Sequence, residues 1–208
     1  MLNCQNECSD FQNEKNSNLN NSVMKSVVKI SLMSMLLVIG LMACKKDKGG
    51  NGQIKVQMTD APADFTEVNV NIEEVWAHYS GNGANGSGWV QLNAIPGYYD
   101  LLQLQNGLTD VIASPTTIPT GKITQMRLKL GDNNYAVEII DSVAVQHPLL
   151  LSSQDETGLK VNLNSEIFVN QTIVVTLDFD AGASIVEQVN GGYRLKPVIK
   201  VQNVTYIP

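Results

Sequence analysis

The sequence predicts an all-β protein: a β-sandwich with Greek-key-like connections and at most one short helix. Three observations predict it. Apolar and polar residues alternate with period two in many short runs, the pattern of strands with one buried face. Gly, Asn, Asp and Pro punctuate those runs at short spacing. Behind residue 44, no stretch carries the long 3.6-residue periodicity of an amphipathic helix.

Taken in order, Ile54, Val56 and Met58 alternate with polar residues, and Asp60-Ala61-Pro62 closes that run. Val68, Val70 and Ile72 form the second. Its phase slips at Glu73-Glu74, and Val75, Ala77 and Tyr79 continue one residue out of step, which predicts a β-bulge. Trp89-Val90-Gln91-Leu92 opens another strand. Leu101, Leu102, Leu104 and Leu108 fit one face of a short helix that ends near Gly107. Met126, Leu128 and Leu130, then Tyr135, Val137 and Ile139, flank Gly131-Asp132-Asn133-Asn134 and predict a hairpin. Val143 with Val145, Leu159 with Val161, and Ile167 with Val169 are shorter candidates. Ile173, Val175 and Leu177 lead into Asp178-Phe179-Asp180. Tyr193, Leu195, Ile199 and Val201 predict a last long strand, which Pro197 forces to an edge or a bulge because proline has no N–H for the ladder.

The first 44 residues read as an address. Lys25 and Lys29 form a positive n-region, and Ile30 to Ala43 is 14 residues of apolar or small character. A membrane-spanning helix needs ~20 such residues, whereas a secretory h-region is this short. The run ends Leu41-Met42-Ala43-Cys44, which resembles the bacterial lipobox, so residues 24–43 are expected to be a lipoprotein signal peptide and Cys44 the lipidated residue. Acyl chains of the palmitate class contribute ~0.8 kcal/mol per buried methylene, and two or more make a stable anchor. Residues 44–52 are then a tether, and 53–208 a single sandwich domain. Lys45-Lys46-Asp47-Lys48 is open to two readings, a surface-export signal or an ordinary charged linker. Residues 1–23 fit no export signal; either Met24 is the true start or they are a disordered leader lost with the signal peptide.

Charge and cysteine usage narrow the function. The formal charge is -6, and residues 44–208 keep the excess, with 11 basic and 17 acidic side chains. Such a surface repels phosphate backbones, so nucleic acid is not an expected partner. Cleavage before Cys44 would remove Cys4 and Cys8 and leave no thiol pair for a disulfide.

Several motifs invite chemical readings. Gly81-Asn82-Gly83-Ala84-Asn85-Gly86 is a literal G-x-G-x-x-G, but a strand rather than a helix follows it, so it reads as an interstrand loop. Asp60 and Asp64, with Asp178 and Asp180, lie near strand ends. They form either a shared Ca²⁺ site, which needs several oxygens converging at ~2.3–2.6 Å, or a turn residue and a solvated strand face paired with Lys196 or Lys200. His78 and His147 stand apart without metal-ligand spacing. Ser184 lacks the final glycine of a nucleophile elbow, and Ser152-Ser153 has no base placed by sequence. Trp76, Trp89, Tyr98 and Tyr99 would stack on sugar rings if exposed together, and otherwise belong to the core. Asp141-Ser142-Val143 resembles the short acceptor motif of Bacteroidetes O-glycosylation.

An ordered set of segments resembles the family called domain of unknown function 4382, found in Bacteroidetes lipoproteins. The segments are Val56 to Asp64 (VQMTDAPAD), Trp89-Val90-Gln91-Leu92, Asp100 to Leu104 (DLLQL), Gly121 to Leu128 (GKITQMRL), Thr157 to Lys160 (TGLK), Leu177 to Asp180 (LDFD), Ser184-Ile185-Val186 and Leu195 to Ile199 (LKPVI). They span about residues 53–201. Ile123 stands where the resemblance leads one to expect an aromatic side chain. The resemblance implies an exported β domain on a lipid anchor and carries over no catalytic residue. The expected function is therefore a lipid-anchored, non-enzymatic binding or structural module of the cell envelope. It would sit in the outer membrane, periplasmic or surface-exposed, and contact a protein or glycan partner through loops such as 80–88 and 152–158. The alternatives are a calcium-stabilised carbohydrate-binding module and an enzyme acting on glycan substrates.

Overall fold

The computed structural model describes residues 49–81, 87–189 and 191–208. The leader, the signal segment and Cys44 lie outside the described residues, as does most of the Gly/Asn loop at 82–86. Gly49–Pro208 form one compact unit.

Two sheets build the predicted sandwich. The smaller runs, in spatial order, β14 (Ile199–Ile207), β11 (Thr172–Asp180), β1 (Asn51–Ala61), β6 (Asp110–Pro119) and β4 (Asn93–Ala94). The larger runs β10 (Leu159–Ile167), β7 (Gly121–Leu130), β2 (Glu67–Gly81), β8 (Tyr135–Ile140), β9 (Val143–Leu150), β13 (Tyr193–Leu195) and β12 (Ile185–Glu187). Two further strands, β3 (Ser87–Gln91) and β5 (Gly97–Asp100), also pair with β2.

β1 is the spine of the smaller sheet. It pairs in parallel with β11 without a register break from Gln53↔Thr172 to Ala61↔Asp180, and antiparallel with β6 on its other edge. Side chains aligned across the ladder share a face. Ile54, Val56 and Met58 therefore enter the core with Ile173, Val175 and Leu177, all essentially without solvent exposure. Burying each such side chain is worth ~1.5–3 kcal/mol.

The opposing wall comes from β2 and β7. Val68, Val70 and Ile72 point inward, then Val75, Ala77 and Tyr79 do. The register against β7 shifts between Ile72 and Glu74, the bulge that the sequence phase predicts. The hairpin of β7 and β8 around Gly131 is not a directly paired one. Both strands run antiparallel to β2 along the same edge, β7 beside Ile72–Gly81 and β8 beside Glu67–Asn69, and the Asn134 side chain stitches the break between them by donating to the Gly131 carbonyl and accepting from the Asn71 amide.

Two further sequence expectations change. The helix sought between Tyr98 and Leu108 is a single 3-10 turn, Leu101–Leu104, after strand β5. Leu101 and Leu104 are buried, while Leu108 is 63% exposed and shares no face with them. The predicted last long strand is two strands in different sheets. β13 ends at Leu195, the chain crosses over Lys196-Pro197-Val198, and β14 begins at Ile199. Proline's missing N–H is accommodated by a sheet switch, neither at an edge nor within a bulge.

Gly52 allows the close approach where β1 meets the β10–β11 connection. A Cβ there would lie 2.3 Å from the Phe168 carbonyl oxygen and 2.6 Å from Ile167 Cγ2. Gly52→Ala is expected to lower stability by about 1–3 kcal/mol in urea denaturation, the usual cost of overpacking. An unchanged midpoint would show that this contact yields freely.

Candidate functional site

The four sequence-predicted carboxylates sit near one end of the smaller sheet but are used separately. Asp60 is not a turn residue; it is the last inward-facing position of β1, 6% exposed. Its Oδ1 accepts from the Ala181 amide at 2.9 Å, and its Oδ2 is buried without a hydrogen-bond partner. Asp178 aligns with Thr59 and so projects from the opposite face of the sheet. There it meets its cross-strand neighbour Lys200 at 2.9 Å. Asp180 accepts from the Ala183 amide and caps a one-turn helix, α1 (Ala181–Ser184). Asp64 is exposed on the β1–β2 connection. Among the described residues, no three His, Cys, Asp or Glu side chains are grouped to hold a metal ion.

Burial pushes the Asp60 carboxyl up to about 6, against the Ala181 amide, the Gln105 side chain and the Ala61 amide, which pull it down. The Asp178 carboxylate adds a smaller upward push. The Thr59 hydroxyl, one residue earlier, donates to the Leu104 carbonyl at 2.8 Å. The end of β1 is thus tied to α1 on one side and to the 3-10 turn on the other.

Ser184 is fully buried in a structural role. Its hydroxyl donates to the Asp180 carbonyl and accepts from the Val198 amide, and its own carbonyl accepts from Lys196. Those bonds hold the segment around Pro197 as it crosses between sheets. His147 packs edge-on against Tyr193, 4.8 Å between ring centres, with Glu138 3.4 Å away. Ser142 is exposed at the tip of the β8–β9 hairpin, where Asp141 and Ser142 both take positive φ.

The outer face of the larger sheet gathers a different set. Ladder pairing lines up Trp89, His78, Gln125 and Asn162 in one row across β3, β2, β7 and β10. A second row places Gln91, Trp76, Arg127 and Lys160 beside it. The Arg127 guanidinium lies over the Trp89 ring, 4.3 Å from its centre, and His78 meets the same ring edge-on. Gly158, at φ 102°, packs against the Arg127 stem, where a Cβ would fall 2.7 Å from Cγ. The 152–158 loop thereby buttresses the platform.

Several of the platform's polar groups are held in place, while Arg127 Nε is buried without a hydrogen-bond partner. Gln125 donates to the Asn162 side chain at 3.2 Å, and His78 Nδ1 shares a 2.8 Å hydrogen bond with Thr124. The Trp76 indole N–H donates to Glu74, which Lys129 also contacts. These two partners hold the Glu74 carboxyl below the usual carboxylate range, the indole N–H contributing most. Of the four aromatic residues named from sequence, only Trp76 and Trp89 share this face. Tyr99 is buried, and Tyr98 stands 6.4 Å from Tyr135 on a separate part of the sheet. Arg127, Gln125 and Asn162 were not singled out from sequence, although Arg127 and Gln125 alternate with the inward Met126 and Leu128.

The family model described as "Domain of unknown function (DUF4382)" matches residues 51–197. The chain belongs to the DUF4382 family. No curated protein and no solved structure matches it significantly. The match begins at β1 and ends at Pro197, so it takes in the Asp60 tie, Ser184 and every residue of the aromatic platform. In this DUF4382 chain the segments that carried the resemblance are largely the ones that lock the sheet ends. VQMTDAPAD carries Asp60, LDFD carries Asp178 and Asp180, and LKPVI is the crossing segment.

The Asp60 environment sets a pH dependence. Its folded value of about 6 stands above the ordinary 3.8. Protonated Asp60 therefore favours the folded state, and this contribution is lost as pH rises from about 4 through 6. The shift corresponds to about 3 kcal/mol. Asp60→Asn is expected to gain stability relative to wild type by up to that amount between pH 4 and 7, measured as the difference between their urea-unfolding free energies. A pH-independent difference would show that Asp60 ionises freely.

Proposed function

We propose that this protein is a lipid-anchored, non-enzymatic binding module of the bacterial cell envelope, an outer-membrane lipoprotein facing the periplasm or the surface. Its ligand is a glycan. The observation that carries the binding reading is the row of Trp89, His78, Gln125 and Asn162, with Arg127 reaching over Trp89 from the adjacent row, on one outward face. Indole faces stack on the apolar side of a sugar ring, while amides and a guanidinium hydrogen-bond its hydroxyls. A rigid sheet presents these groups with little ordering entropy left to lose. Support for the anchor is the positive n-region, the 14-residue apolar run and the lipobox-like Leu41-Met42-Ala43-Cys44.

Intact-mass analysis of protein from a native membrane fraction is expected to find an N-terminus at Cys44 carrying acyl chains. An unmodified, uncleaved chain would end the anchor reading. Sedimentation of detergent-solubilised protein with peptidoglycan sacculi, chitin, xylan and cellulose is expected to show saturable binding to at least one. Trp89→Ala and Arg127→Ala should each weaken that binding roughly tenfold, the scale of a buried anchor contact, with melting shifted only slightly. Absence of saturable binding across the panel would refute the glycan reading.

A further inference from the structure

The end of the sandwich where the chain enters exposes a group of large apolar side chains. Phe168 and Val169, on the β10–β11 connection, are 45% and 52% exposed; Tyr206 and Ile207, at the end of β14, are 41% and 48% exposed. The rings of Phe168 and Tyr206 are 5.4 Å apart. Gly50 packs directly against Val169, where a Cβ would meet Cγ1 at 2.8 Å, and the Asn170 amide donates to the Asn51 carbonyl.

The segments that meet at that end also carry no charged side chain, the nearest being the cross-strand pair Lys122 and Glu166. Residues 49–54, 115–121, 167–177 and 201–208 converge there through the pairings of β1 with β6 and β11, β7 with β10, and β11 with β14. None of the four segments contains Asp, Glu, Lys or Arg, although residues 49–208 hold 8 basic and 16 acidic side chains. Beside the apolar cluster, Asn51, Gln53, Asn170, Gln171 and Thr172 line a shallow concavity of about 370 Å³.

We infer that this end seats on the surface of a phospholipid bilayer, with Phe168, Val169, Tyr206 and Ile207 entering the headgroup region. The inference rests on the reading of Cys44 as lipidated. The six Cα–Cα steps from Cys44 to Gly50 span at most ~21 Å when fully extended, so an anchored chain holds this end close to the lipid. Apolar side chains gain by leaving water there, and tyrosine suits an interface with one apolar and one wet side. No charged side chain of these segments has to be dehydrated, and neutral amides meet the headgroups. Between anchor and domain, Lys45, Lys46 and Lys48 outweigh Asp47, which favours anionic lipid.

The test uses the full chain, processed in cells and reconstituted into vesicles of phosphatidylethanolamine and phosphatidylglycerol doped with brominated phosphatidylcholine. A bimane label is placed through Phe168→Cys and, as a control at the opposite end of the sandwich, through Leu150→Cys, also an exposed apolar position. Bimane at 168 is expected to shift to the blue and to be quenched roughly twofold or more beyond bimane at 150, as for a side chain at headgroup depth. Equal quenching at both sites, or none at 168, overturns the proposal. A blue shift at 168 that needs no vesicles and grows with protein concentration overturns it in favour of end-to-end pairing of two copies. Ile207→Cys serves if Phe168→Cys fails to fold. Mass analysis of the same samples separates the two layers: a Cys44 without acyl chains means that the anchor reading has failed, whereas acylated protein without selective quenching sinks the seat alone.

Discussion

The uninterrupted parallel pairing of β1 with β11 is the constraint on which the rest of the fold depends. Its two strands lie far apart in sequence, and their closure places Ile54, Val56 and Met58 beside Ile173, Val175 and Leu177 in the core. β14 flanks that pair on one side, and β6 and then β4 extend the sheet on the other. Because side chains alternate strictly along a strand, the same register decides which end groups face in and which face out. It turns Asp60 inward toward α1 and Asp178 outward toward Lys200, and so divides carboxylates that look like neighbours in the sequence.

Much of the fold was legible because burial imposes a period of two. The inward residues of β1, β2, β7 and β11 are the ones that alternate in the sequence, and the Glu73-Glu74 slip is a true change of register. What was not legible depends on partners distant in the chain. Pro197 announces a break in the ladder, but only the bonds from Ser184 show that the break is a crossing between sheets. The run Leu101, Leu102, Leu104 and Leu108 mimics a helical face, yet a 3-10 turn satisfies Leu101 and Leu104 once Asp100 caps it.

The candidate binding face was legible in part for the same reason. Alternation alone sets Trp76 and His78 opposite to Val75, Ala77 and Tyr79. It does not say that Trp89 will pair with His78 from one edge of β2 or that Arg127 will reach across from the other. Strand order is a property of the whole sheet, and two rows of mixed aromatic and polar groups emerge only when β3, β2, β7 and β10 are laid side by side. The Asp60 environment is similar. A carboxyl before Pro62 resembles a turn residue until the parallel register shows it pointing into the core.

The most direct measurement of the β1–β11 claim is native-state hydrogen exchange on the full chain with increasing denaturant. The amides of Ile54, Val56 and Met58 and of Ile173, Val175 and Leu177 should exchange only through global unfolding, with the steepest denaturant dependence in the domain. Hairpin β8–β9, whose tip is exposed, should open at lower free energy. If the β1–β11 amides instead exchange through a small local opening while β8–β9 remains protected, the fold does not depend on that pairing.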